Sequence, residues 1–187
     1  MNINTYFKNV FTLLKGNAGA YAISICVLPL LSRLYQPESF GFLAVFLSIS
    51  GILSSFLALR LELAVFNTKT EKELIETFCS AIFVTLILTL ALFVLIIPFK
   101  TYFANEFNVP EYIVLLTPLA GALLAIFNLV TNLAIVEQRF KTVASVKLMR
   151  SFVQAIAQIS LYFSSKGLVI GDLISRLFVG ISLALDY

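Results

Sequence analysis

Apolar residues in this chain run in long blocks separated by short polar links, without the sustained alternation of a half-buried strand. Six blocks read as helices crossing a bilayer, which takes roughly 20 mostly apolar residues: 12–34, 41–66, 77–97, 112–136, 146–165 and 168–185. The pattern therefore predicts an all-α fold, a polytopic bundle of six transmembrane helices forming a single lobe over residues 1–187. In the second block Gly41, Ala44, Ser48, Gly51, Ser55, Ala58 and Glu62 step by three or four, so all seven share one slowly drifting face. Small residues let helix backbones approach in lipid, and a carboxylate at membrane depth normally faces protein or a watery cavity. The stripe is expected to look inward. Arg60 points about 200° away from Glu62 on the same helix; the two could equally reach the headgroups from a helix end.

The other blocks differ in their polar content. The first carries Lys15, Gly19, Ala22, Cys26, Pro29 and Arg33, again at steps of three or four, with a kink expected at Pro29. The third is almost wholly apolar, with scattered threonines, and is expected to face lipid. The fourth places Thr117, Gly121, Ala125, Asn128 and Asn132 on one face. The fifth sets Lys147, Arg150, Gln154 and Gln158 along one stripe, a polar lining that enters from one side of the membrane. In the sixth, Asp172 precedes Arg176 by four residues, the order that favours an intrahelical ion pair. The links are an amphipathic lead over 1–11, a tight loop over 35–40, a charged surface stretch over 67–76, a connection over 98–111 and the basic link EQRFKTVASVK.

Composition supports the membrane reading. Hydrophobic residues are 60% of the chain and charged ones 12%, against roughly 45–50% and 25% in soluble domains, and mean hydropathy is +0.99. Cys26 and Cys79 fall in apolar blocks and read as small hydrophobes. With no histidine and two cysteines, a metal site is not expected. No cofactor is implied, and a net charge of +3 gives no reason to expect a nucleic-acid partner. Position matters more than net charge. Lys8, Lys15, Arg60, Lys69, Lys72, Arg139, Lys141, Lys147 and Arg150 fall on one side of a six-span layout, and Arg33, Lys100 and Lys166 on the other. The positive-inside rule then places both termini in the cytoplasm.

Reaction chemistry is not legible. There is no phosphate-binding glycine loop, no GxSxG, no HExxH and no aspartate-rich metal motif, so an enzyme is not expected. Polar faces on five of the six blocks suggest a shared hydrated cavity; the alternative is ordinary helix packing through hydrogen-bonding side chains.

The run LPLLSRLYQPESFGFLAVFLSI, followed by LALRLELAVF, resembles the N-terminal signature of the polysaccharide biosynthesis flippases. These are the Wzx-type O-antigen translocases of the multidrug/oligosaccharidyl-lipid/polysaccharide exporter superfamily. EQRFK, MRSFVQAIAQ and the Gly-Asp of the sixth block are similar to the same family. The resemblance implies two six-helix lobes around a cavity. It also implies a bacterial cytoplasmic (inner) membrane location and movement of an undecaprenyl-diphosphate-linked oligosaccharide to the outer leaflet, for lipopolysaccharide or other surface polysaccharide.

Carried over, Arg60 and Arg150 would contact diphosphate or sugar, with Lys15, Arg33 and Arg176 as further cations. Gln154, Gln158 and Asn128 would be polar substrate contacts, and Glu62 and Asp172 would tune cavity charge or take part in ion coupling. Besides the lipid-linked glycan and the bilayer, the implied partners are a missing C-terminal lobe or a second copy, and a polysaccharide polymerase with its chain-length regulator. Six spans match one lobe, as expected of a fragment or of a half-size protein working as a homodimer. A multidrug exporter and a non-transporting scaffold for assembly enzymes are the alternatives.

Overall fold

The computed structural model describes residues 3–68, 70–164 and 166–185. Lys69, Asp186 and Tyr187 lie outside the described residues, as does the Lys8 side chain. The helices are α1 (Ile3–Leu34), α2 (Pro37–Leu57), α3 (Leu61–Ala64), α4 (Glu71–Glu106), α5 (Glu111–Val136), α6 (Phe140–Ser160) and α7 (Gly167–Leu185). A 3-10 turn at Val65–Asn67 follows α3, and the described residues contain no strand. Four helices are long and apolar enough to cross a membrane: α1 from Asn9 onward, α2, α4 and α5. The helices α6 and α7 fall outside that set; Lys147, Arg150, Gln154 and Gln158 dilute the apolar character of α6.

Several boundaries differ from the expected ones. The helix α4 runs 36 residues through Pro98 to Glu106, where a connection from Pro98 onward was expected. At 1.5 Å per residue it is about 54 Å long, well beyond a hydrocarbon core of about 30 Å. Its start lies in the charged stretch: Thr70 caps it, the hydroxyl accepting from Glu73 N–H at 3.3 Å, with Glu73 itself in the position a capping box uses. At its far end Lys100 Nζ lies 2.9 Å from Glu111 Oε2 and the Thr101 hydroxyl donates to Glu111 Oε1, clasping α4 to the first residue of α5. The basic link is likewise mostly helix, since α6 begins at Phe140.

The chain packs as two compact units, Met1–Pro37 with Leu133–Tyr187, and Glu38–Asn132. In the second unit α5 turns its small and polar face inward as expected, with Thr117, Gly121 and Ala125 buried. A Cβ on Gly121 would lie 3.0 Å from Leu53 Cβ and 3.4 Å from the Ser50 carbonyl, so α2 and α5 approach backbone to backbone there.

The face of α2 that packs inward is not the expected one. Gly41, Ala44, Ser48 and Ser55 are exposed, whereas Phe46, Ser50, Ser54 and Leu57 are buried. Burial costs the two serines little, because their hydroxyls donate to the Leu47 and Gly51 carbonyls within the helix. The apolar helix α4 also has an inner face: Ala81, Thr85, Thr89 and Ile96 are buried while Phe83, Leu90 and Val94 face outward. Its threonines bond back to Ala81 and Thr85, which hides their polarity. Spacing alone could not separate these faces, because Ser and Thr that satisfy themselves locally pack like small apolar residues.

The second block is not one helix. It stops at Leu57, and Leu59 and Arg60 adopt left-handed backbone with φ of 47° and 60° before α3 restarts at Leu61. Left-handed geometry costs a non-glycine residue about 1–2 kcal/mol, so the surroundings must hold it. Leu57 and Ala58 are buried before the break and Val65 after it, and Asn132 Nδ2 donates to the Glu62 carbonyl at 2.9 Å. No glycine or proline marks the break in the sequence.

In the first unit α1 lies close on α6. A Cβ on Gly16 would meet Ala144 Cβ at 2.6 Å and its Cα at 2.7 Å. Gly16→Val is expected to destabilise the protein by about 1–3 kcal/mol, read as a lower melting temperature in detergent. Gly51→Ala, where nothing lies within 4 Å, should instead be neutral or gain about 0.5–1 kcal/mol from a better helix former.

Candidate functional site

The two units differ in charge. The first carries nine Lys and Arg against three Asp and Glu; the second carries four against seven. Most of the cations in the first unit lie near helix ends or on exposed faces, but α6 and α7 draw several inward.

The cluster is built from the inner face of α6 and the first half of α7. Asp172 and Arg176 are 1% and 3% exposed. One helical turn apart on α7, they pair with Arg176 Nε 2.7 Å from Asp172 Oδ2, the expected intrahelical ion pair. The approach is close but not aimed as a hydrogen bond, so charge attraction holds it. Across the helix interface Arg150 Nη2 lies 3.9 Å from Asp172 Oδ1. One carboxylate thus serves two guanidinium groups, and the cluster has a formal surplus of one positive charge. A turn before Arg150, the half-buried Lys147 donates from Nζ to Asn17 Oδ1 on α1 at 3.0 Å. Asn17 gave no signal in the sequence, since a single amide within an apolar block reads as packing.

The backbone around the cluster is held by close contacts. Gly171 sits directly against Gln158, where a Cβ would come within 2.6 Å of its Cγ and 2.9 Å of its backbone nitrogen. The Gln158 side chain donates from Nε2 to the Leu168 carbonyl at 3.1 Å. The backbone carbonyl of Gln158 accepts from the Tyr35 hydroxyl at 2.6 Å. Burial pushes the Tyr35 phenol up from its ordinary value, so it remains a donor at neutral pH. Gln158 is therefore occupied in joining α6 to α7 and to the end of α1, and its amide is not offered to a ligand. Tyr35, in the loop after α1, supplies the third member of this join and was not singled out by spacing.

Of the other candidate residues, Gln154 is half-buried one turn beyond Arg150 on α6. Lys15 and Arg33 are exposed on α1, about 27 Å apart along the helix axis. Lys15 lies over the Phe11 ring at 4.9 Å, a cation–π contact within its own helix. In the second unit Arg60 is exposed at the helix break, Glu62 is buried just after it, and Asn128 is half-buried on α5. The structure thus brings together Lys147, Arg150, Asp172 and Arg176, and does not gather Lys15 or Arg33 into that cluster.

Such a cluster suits an anion. Guanidinium groups present paired donors that match phosphate or carboxylate oxygens, and fixed cations offset the cost of moving an anion out of water. The Arg150 side chain is 21% exposed, so it can be reached from outside the interface, whereas Arg176 is enclosed.

The polysaccharide biosynthesis protein family matches the chain over residues 30–187, which covers α2 through α7 and the entire Arg150–Asp172–Arg176 cluster. The chain belongs to that family. Neither the curated proteins nor the solved structures give a match. Family membership and the apolar helices make this a membrane protein of polysaccharide biosynthesis.

Proposed function

We propose that the protein flips an undecaprenyl-diphosphate-linked oligosaccharide across the inner membrane for O-antigen or another surface polysaccharide. The observation that carries this reading is the buried, positively charged Arg150–Asp172–Arg176 cluster in a polysaccharide biosynthesis membrane protein. In this reading the diphosphate is the anion that the cluster attracts, with Arg150 as its direct contact and Lys147 as a second cation one turn away. Gln154 lies along the same helix face, suited to sugar hydroxyls. Arg176 holds Asp172 and keeps the local charge positive.

The proposal includes α6 and α7 as the fifth and sixth spans, their polar residues tolerated because they face protein or water. Both termini are then cytoplasmic. Transporters built from repeats place the substrate between two lobes, so a second lobe or a second copy would complete the cavity. A polymerase and chain-length regulator would take up the delivered glycan. Cation surplus disfavours an exporter of cationic drugs.

The test is complementation. The complete reading frame that encodes this chain is expressed, with its native glycan locus, in a bacterium lacking its own flippase. Restored surface polysaccharide supports the reading. Its absence despite normal membrane insertion would contradict it and favour a scaffold, which predicts that Arg150 is dispensable.

A further inference from the structure

Away from the cationic cluster, the second unit contains a cavity of about 260 Å³. Its wall takes Leu53 from α2, Leu92, Ile96 and Phe103 from α4, and Ile113 and Thr117 from α5. Thr117 is the one polar side chain among the described residues of that wall, and its hydroxyl donates to the Val114 carbonyl within α5 at 2.7 Å. Water in a cavity needs about two to four polar partners and finds none free here. Apolar cavities of about 150 Å³ already stay dry and take up a benzene-sized molecule. This one is larger. Leu95 and Phe107 on its rim are 59% and 45% exposed, so it opens outward. What a membrane supplies at such an opening is a hydrocarbon chain.

The depth of the cavity fits a lipid tail. It begins at the clasp where Lys100 and Thr101 hold Glu111. Leu92 lies eight residues before Lys100 and Thr117 six after Glu111, about 12 and 9 Å along the helix axes. The hydrocarbon of one leaflet is about 15 Å deep, half of the core. The cavity thus runs inward from a polar end through much of one leaflet. Tyr102, 64% exposed on α4, is the residue type enriched at headgroup level.

The rim also selects a headgroup. Residues 98–112 carry one cation, Lys100, against two carboxylates, Glu106 and Glu111. Lys100 Nζ has three donors, so it can meet a phosphate oxygen while paired with Glu111. Glu106 is exposed beside Phe107 and offers a carboxylate to an ammonium. A headgroup that brings its own cation matches this balance, whereas a purely anionic one meets two like charges. The Arg150 cluster, with its positive surplus, has the opposite preference.

We propose that the cavity between α2, α4 and α5 binds one acyl chain of a zwitterionic aminophospholipid, with the phosphate at Lys100 and the ammonium at Glu106 and Glu111. The bound chain fills space the protein leaves open and packs the three helices on one another. The site is separate from the flippase reading, because undecaprenyl diphosphate is an anion that this rim disfavours.

The experiment uses the full chain in proteoliposomes with a photoreactive diazirine in one acyl chain, carried on phosphatidylethanolamine or on phosphatidylglycerol. Cross-links are mapped by peptide mass spectrometry. Phosphatidylethanolamine should label the segments around Ile96 and Ile113, which line the cavity and are buried. The excess over phosphatidylglycerol should be about two- to fivefold, since exposed charge contacts contribute modestly. Leu92→Trp, which fills the cavity from α4, should remove these labels and keep those at the outward-facing Leu90 and Val94. Glu106→Lys, outside the clasp, should turn the preference toward phosphatidylglycerol. Arg150→Ala should leave the labelling unchanged, so failure of the flippase reading leaves this result standing. Equal labelling by both phospholipids would overturn the headgroup assignment. Labels at Leu90 and Val94 without any at Ile96 and Ile113 would overturn the cavity site. Displacement of the label by undecaprenyl diphosphate would overturn it in favour of the cargo's own tail.

Discussion

Replacing Asp172 with Asn is expected to cause the largest loss of stability of any single substitution in this chain. The carboxylate is 1% exposed and is the counter-charge to both Arg176 at 2.7 Å and Arg150 at 3.9 Å. Removing it takes away the carboxylate that lies 2.7 Å from an enclosed guanidinium, and breaking one side of a buried pair costs about 3–5 kcal/mol. Set against a typical total of about 5–15 kcal/mol, that loss should reduce the folded fraction recovered in detergent and lower the melting temperature sharply. Arg176→Met in the same background removes the buried positive charge and should restore most of the loss, because an apolar replacement of a buried pair is often neutral. If Asp172→Asn melts like the wild type, the pair is not a determinant of the fold.

Arg150 is expected to behave in the opposite way. Its guanidinium is partly accessible and its contact to Asp172 is the longer of the two, so truncation leaves the closer pair in place. Arg150→Ala should keep the membrane level and melting temperature near wild type while abolishing surface polysaccharide in the complementation assay. A hydrogen bond to a charged group contributes about 1.5–3 kcal/mol, which corresponds to roughly a 10- to 150-fold loss of affinity for the anion. Arg150→Lys separates charge from shape: partial activity would mean a point charge suffices, and none would mean the paired donors of the guanidinium are needed. Activity near wild type in Arg150→Ala would remove this residue from the site.

Much of the fold was legible because long apolar blocks leave few alternatives. Five of the six blocks lie largely within single helices, and the Asp172–Arg176 spacing gave the ion pair directly. The break after Leu57 was not legible: LALRLEL contains no glycine or proline, and the left-handed residues are held by burial of Leu57, Ala58 and Val65 and by Asn132, which are tertiary facts. The continuation of α4 through Pro98 was missed for a similar reason, since proline is tolerated in membrane helices when its surroundings satisfy the freed carbonyl.

At the site, the stripe of α6 was visible from its spacing, but the pairing of Arg150 with Asp172 depends on how α6 meets α7 at Gly171 and Gln158. Gln158 shows the limit of the stripe argument. It shares the face of Arg150, yet its amide is used in joining helices. Lys15 and Arg33 qualified by residue type and proved exposed on α1.

The central claim is that the α6–α7 cluster binds the diphosphate of a lipid-linked glycan, and direct binding tests it most simply. Purified protein would be mixed with undecaprenyl diphosphate and examined by native mass spectrometry, beside Arg150→Ala and Glu62→Gln. The account predicts a retained lipid adduct in the wild type and in Glu62→Gln, and about a tenfold or greater loss in Arg150→Ala. Equal retention by all three proteins would contradict it.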